Sequence, residues 1–286
     1  MNPYLRASTT ANSLRAILAG CLVQLTLITP GFGQSPYRLQ TGRELGLLGV
    51  GGVAAGTALV LESRVEPLTI ADLASLDRTR IPAFDRGAID RYSTTADRLS
   101  DASLVGNVAL AGLLTIGTKP MRQDIKTIGV MYIETVLLAN GLQRSVKNLT
   151  QRNRPFVYNP VAPLEEKLER SARQAFFSGH ATNAFATAVF TGEVFRHYFP
   201  ESNWKPVVWV GSLGLATATA VLRYEGGLHY PTDLLAGAAF GSLIGWGIPK
   251  LHEVKNKGEL GKRLDIQPWS TGQANGIYLR LTVFSR

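Results

Sequence analysis

The sequence predicts an all-α protein: a helical bundle with about six core helices and a β-hairpin at its C-terminal end. Three observations carry that prediction. Six apolar segments of 15 to 17 residues follow one another, too long for strands and without strand alternation. Polar loops containing Pro, Asp and Arg separate them. Only the last stretch of the chain is strand-rich and alternates apolar with polar side chains.

Residues 1–33 read as an export signal. Arg6 and Arg15 give a positive start, Ala16 to Thr29 is apolar, and Gly31-Phe32-Gly33 supplies small residues before Gln34. The apolar part is short against the roughly 20 residues of a span. Cys21 is the only cysteine, so the chain has no internal disulfide and no cysteine-based zinc site. The main domain follows over residues 34–262. Its predicted helices are Leu45–Leu61, Ser103–Thr118, Thr127–Leu142, Ala181–Phe195, Val207–Leu222 and Leu234–Ile248. Short amphipathic helices are expected between Glu62 and Asp101, where Phe84, Ile89 and Tyr92 recur at helical spacing. Gln143 to Gln174 carries Pro155, Pro160 and Pro163, then a charged helical stretch, Leu164–Arg173. Residues 263–286 form the hairpin, with Leu264–Trp269 and Ile277–Phe284 as strands around a turn at Ser270–Gly276.

Each predicted helix falls below the 18 or so residues of a confident membrane span, and mean hydropathy is only +0.06. Asn107, Glu134, Asn140, Asn183 and Glu193 interrupt the apolar segments. The segments therefore favour a periplasmic bundle that does not fully cross the bilayer. A spanning bundle is the alternative, because Gly and Ala at helix contacts are common in lipid. The balance of 30 Lys plus Arg against 21 Asp plus Glu, net +9, fits phosphate groups or an acidic membrane surface. Nucleic acid is excluded as a partner: the basic residues are spread out and no nucleic-acid motif appears.

Three clusters carry chemistry. Lys147-Asn148-Leu149-Thr150-Gln151-Arg152-Asn153-Arg154-Pro155 places Lys147 and Arg154 seven apart, on one face of a continuing helix. A guanidinium can hold a phosphoryl group with two parallel hydrogen bonds, and an ammonium adds a point charge. Taken alone, such a run reads first as a solvated basic helix end that complements the dipole. Phe177-Ser178-Gly179-His180 precedes an apolar helix, with Ser178 as its N-cap and free N–H groups at its start. Arg223 to Asp233 ends one helix, turns at Gly226-Gly227, and starts another. There His229 and Asp233 are four apart, so a carboxylate can reach one ring nitrogen and leave the other free to attack. A His–Asp metal pair at this place lacks further ligands, since His197 and His252 lie outside the clusters.

Together these clusters resemble the type 2 phosphatidic acid phosphatase superfamily, which includes bacterial class A acid phosphatases and vanadium haloperoxidases. Lys147, Arg154 and Pro155 match its K-x-x-x-x-x-x-R-P motif. Ser178, Gly179 and His180 match P-S-G-H, and Arg223, His229 and Asp233 match S-R-x-x-x-x-x-H-x-x-x-D. The matched span covers about a third of the chain. Phe177 stands where the motif has proline, and Leu222 where it has serine, so one phosphate hydrogen bond is lost.

The resemblance implies a helical phosphatase of the bacterial envelope that needs no metal and no cofactor. His229 would be the nucleophile, Asp233 its orienting group and His180 the general acid and base. Lys147, Arg154, Arg223, Ser178 and Gly179 would bind phosphate. The substrate would be a lipid phosphate or a small phosphomonoester. The resemblance also implies a site facing the periplasm. Six full spans after a cleaved signal would instead turn it to the cytoplasm. A vanadate-dependent haloperoxidase, or a non-catalytic anion-binding envelope protein, are the alternatives.

Overall fold

A computed structural model describes residues 35–254, 264–270 and 275–281. The expected signal, residues 1–33, lies outside the described residues. Six long helices form the body: α1 (Thr41–Glu62), α2 (Thr94–Gly117), α3 (Ile125–Thr150), α4 (Gly179–Tyr198), α5 (Lys205–Glu225) and α6 (Pro231–His252). Short helical turns fill the loop before α2, at Ile70–Ala74, Arg78–Arg80, Ala83–Arg86 and Gly87–Asp90. The loop between α3 and α4 carries three more, at Pro155–Tyr158, Leu164–Lys167 and Arg170–Arg173. A second unit, Glu253–Arg286, contains the antiparallel strands β1 (Leu264–Ser270) and β2 (Asn275–Leu281), with Leu264 opposite Leu281.

α4 is the centre of the body, packed against α6, α5, α2 and α3. Small residues allow its closest contact. A Cβ built on Gly237 of α6 would stand 2.7 Å from the Ser178 carbonyl oxygen, and one on Gly241 or Gly245 would overlap the Thr182 and Ala186 carbonyls. Glycine at every fourth position thus lets two backbones touch. That contact sets the start of α4, with His180, beside the start of α6, with Asp233.

The expectation of a bundle that stops short of crossing the bilayer is corrected by the helices themselves. Five of them (α1, α2, the segment Ile125–Tyr158, α5 and α6) run 21 to 34 residues and are long and apolar enough to cross a membrane. Their outer faces carry Val53 (72% exposed), Val105 (66%) and Val210 (73%), while Asn107 and Glu134 are fully buried. Water would drive the opposite arrangement. The polar residues that seemed to cut the segments short point inward, so they do not end the spans. These are the features of an integral membrane protein.

Candidate active site

Every cluster singled out in the sequence lies at one end of the bundle. Lys147 is in the last turn of α3, Arg154 lies in the loop after it, just before the turn Pro155–Tyr158, and Arg223 is in the last turn of α5. Gly179 and His180 open α4, His229 lies in the α5–α6 turn, and Asp233 is in the first turn of α6. Backbone hydrogen bonds lace the connecting loops together: Phe156 N–H to the Gly227 carbonyl, Ala175 N–H to that of Arg152, and Ser178 N–H to that of Asp233. Gly227 has a φ of +70°, and a Cβ there would collide with the Arg91 carbonyl. Glycine is required at this turn, two residues before His229.

Between these ends is a cavity of about 270 Å³, with Lys147, Arg154, Gly179, His180, Arg223 and His229 in its wall. Lys147 and Arg154 make no side-chain hydrogen bond among the described residues, and the Arg154 Nε is buried without a partner. Arg223 is 5% exposed and is paired with Asp97 and Ser100, with its own Nε unpartnered. Buried cations are normally paired. Here three converge on one cavity with a single carboxylate among their partners, which is the arrangement expected of an anion site.

Both histidines border this charge. His229 is 1% exposed, and its Nδ1 lies 2.8 Å from the Ala175 carbonyl oxygen. A carbonyl only accepts, so Nδ1 carries the hydrogen and Nε2 keeps its lone pair. Burial, and then the charges of Arg154, Lys147 and Arg223, hold its pKa well below the ordinary range, so the ring is neutral at pH 7. His180 has its Nε2 2.7 Å from Asp101 Oδ1. Burial, then the Arg223 charge, lowers its pKa to about 4 against the opposing pull of Asp101.

Two details differ from the sequence reading. Asp233 does not orient His229 by a hydrogen bond: its Oδ2 is 3.7 Å from Nδ1 and accepts instead from the Tyr230 N–H, at 2.9 Å. The Ala175 carbonyl fixes the tautomer, and Asp233 adds only its charge. Ser178 is fully buried as the N-cap of α4, accepting from the Ala181 N–H, and is not in the cavity wall. Phe177 does not border the cavity either. It is buried against Phe240, ring centres 5.2 Å apart, and its carbonyl accepts from the Gln143 side chain.

Arg152 lies inside the first cluster but outside its matched motif positions. Its guanidinium bridges Asp233 and Asp85, Nη2 to Oδ2 at 2.7 Å, and stacks 4.0 Å above the Tyr230 ring. Asp85 in turn accepts from Thr232 N–H at 3.0 Å and from its hydroxyl at 2.7 Å. This Asp85–Arg152–Asp233 chain fixes the start of α6. Asp85, Asp97 and Asp101 carried no motif signal; each comes from an element preceding the clusters.

Residues 128–257 match the PAP2 superfamily. The chain is 25% identical over 164 residues to the lipid A 4'-phosphatase of Porphyromonas gingivalis, an alignment that covers 56% of this chain and 66% of that protein. It is also similar to the crystal structure of a transmembrane PAP2 type phosphatidylglycerolphosphate phosphatase from Bacillus subtilis. That likeness has 18% identity and a TM-score of 0.43, covering 72% of this chain and 96% of the other. The three motifs all fall inside residues 128–257, so the resemblance they carry and the family match describe one stretch of chain.

Proposed function

We propose that the protein is a membrane phosphatase that removes a phosphate from a lipid headgroup through a phosphohistidine. The observation that carries this is the set of three under-neutralised cations, Arg223 buried and Lys147 and Arg154 half-buried, around the free Nε2 face of a neutral His229. The lipid A 4'-phosphatase relative supports a phosphorylated lipid as substrate, and the helix-end position of the cavity suits a headgroup at the membrane surface.

In this reading Lys147, Arg154, Arg223 and the Gly179 N–H hold the non-bridging oxygens. His229 Nε2 attacks phosphorus as the bond to the leaving oxygen breaks, and His180 gives that oxygen its proton. His180 then takes a proton from water as the water attacks the phosphohistidine, releasing inorganic phosphate and restoring His229. His180 must be protonated for the first step. A phosphate dianion beside it favours the imidazolium and raises its pKa from the low value of the empty site.

The test is phosphate release by detergent-purified protein in EDTA, from lipid A, phosphatidic acid and a soluble phosphomonoester. Release from a lipid substrate that persists in EDTA and vanishes in His229→Ala is the expected result. Absence of release from all three overturns the reading.

The site is further proposed to face the periplasm. With α1, α2 and α3 crossing, the start of α1 is then cytoplasmic, an orientation that the expected cleaved signal over residues 1–33 does not fit. Val161, in the α3–α4 loop, is 75% exposed. A cysteine placed there, with Cys21 replaced, is expected to react with a membrane-impermeant maleimide in intact spheroplasts. Reaction only after lysis places the site in the cytoplasm.

A further inference from the structure

A second buried cluster of ionisable groups lies elsewhere in the bundle. Glu44 comes from the first turn of α1, Glu134 from α3 and His252 from the end of α6. Glu134 and His252 are fully buried and Glu44 is 9% exposed. Glu134 precedes Lys147 by thirteen positions on α3, which is about 20 Å at 1.5 Å per residue. The cluster is therefore separate from the phosphate cavity and shares no residue with it.

Its geometry is that of a coordination shell without hydrogen bonds. One donor atom from each residue lies within 4.8 Å of the other two. His252 Nε2 is 3.0 Å from Glu44 Oε1 and 3.2 Å from Glu134 Oε2, yet neither contact has the direction of a hydrogen bond, and Nε2 has no hydrogen-bond partner. Both oxygens of Glu134 and the Oε2 of Glu44 are likewise buried without one. A protonated imidazole serving as counter-ion would aim its N–H at one of these oxygens. Donors around a tetrahedral zinc, at bonds of about 2.0–2.2 Å, stand roughly 3.4 Å apart, close to the two separations seen.

The histidine is set up for the same purpose. Its Nδ1 lies 2.8 Å from the Ile248 carbonyl oxygen, one helical turn back. Nδ1 therefore carries the hydrogen and Nε2 presents its lone pair to the carboxylates, as in metal-bound histidines whose other nitrogen donates to a backbone carbonyl. Charge points the same way. Arg43 pairs with Glu44 at 2.8 Å and nothing cationic pairs with Glu134 among the described residues apart from the imidazole itself. Ionisable groups at membrane depth are costly unless they serve a site.

The geometry points to a structural metal site in which Glu44, Glu134 and His252 bind one divalent transition ion, zinc foremost, and pin α1, α3 and α6 together. The donor set of two carboxylate oxygens and one imidazole nitrogen suits zinc and leaves a position for water. The ion takes no part in phosphate transfer.

Cobalt(II) is the probe. Full-length protein stripped with a chelator is titrated with Co²⁺, following its visible d–d bands, metal content after gel filtration, and Tm. The expected result is about one equivalent bound and a raised Tm, with binding weakened at least ~10-fold in Glu134→Gln and His252→Gln. Binding that is undiminished in His180→Ala keeps the ion out of the phosphate cavity. Absence of bound cobalt and of any Tm shift in the stripped wild type overturns the proposal, as do d–d bands unchanged in both cluster variants or lost in His180→Ala. Because the wild-type titration decides alone, a variant that fails to fold does not protect the idea.

Discussion

The bundle holds two buried, charge-unbalanced clusters, and their signs are opposite. The cavity at the α4 and α6 starts gathers Lys147, Arg154 and Arg223 with few acids. The other cluster gathers Glu44 and Glu134 with a neutral-tautomer histidine. In each, polar atoms that could bond lack partners: the Nε of Arg154 and Arg223 in one, the Glu134 oxygens and His252 Nε2 in the other. Each unpaired buried charge costs free energy, so each cluster is a request for a ligand of the opposite charge. The two differ in access. The cavity is open enough to hold a phosphoryl group, whereas the carboxylate cluster lies within the contacts of three helices.

The sharpest way to break the comparison is to remove the nucleophile. His229→Ala is expected to reduce kcat by more than ~10³-fold, because no other group in the cavity wall replaces its Nε2, while Tm changes little. A variant that keeps a tenth of the wild-type rate would place the nucleophile elsewhere. Removing one cavity cation comes next. Arg154→Ala should cut kcat/KM by about 10²–10³-fold, the scale of losing a donor to developing charge. Its buried, partnerless Nε also makes the same change raise stability of the empty protein or leave it level. A large fall in Tm would show instead that Arg154 is held there by packing.

How much of this was legible follows from what each feature needs. Lys147 and Arg154, or His229 and Asp233, are close in sequence, but the expected continuing helix is corrected: α3 ends at Thr150 with Gln151 left-handed, and α6 begins at Pro231, so turns and not one helical face bring each pair to the cavity. The N-cap role of Ser178 was legible because a cap is local in sequence. Asp85 joins Asp233 through Arg152, across 67 and 81 positions, and no spacing rule reaches that far. Glu44 and His252 are near opposite ends of the body, so their meeting exists only in the packed fold. The span lengths were misread because Asn107 and Glu134 look like interruptions in a linear reading and become interior groups once the helix faces are known.

The Asp85 network offers a smaller effect that separates charge from geometry. Asp85→Asn keeps the shape but loses the ion pair to Arg152, freeing that guanidinium to bear fully on Asp233. The expected outcome is a roughly 10-fold lower kcat with KM little changed, since phosphate-binding groups are untouched. A raised KM at constant kcat would show that Asp85 shapes the cavity rather than the start of α6.

The smallest effect is a fraction of a proton. Empty, His180 has a pKa of about 4, so at pH 7 it is neutral. A bound phosphate dianion opposes the Arg223 and Lys147 charges that help hold the value down, and so raises it. Binding must then be accompanied by proton uptake wherever the pH lies above the free value and near or below the bound one. The uptake fades toward pH 4, where the free ring is already protonated, and also at high pH, where neither state holds the proton. Calorimetric titration with inorganic phosphate in two buffers of different ionisation enthalpy measures it directly, after allowing for the phosphate's own protonation with His180→Gln as reference. Asp101→Asn removes the carboxylate that favours the imidazolium and should shrink the uptake. Equal uptake in wild type and His180→Gln would mean that His180 does not feel the bound anion, and the leaving oxygen would need another acid.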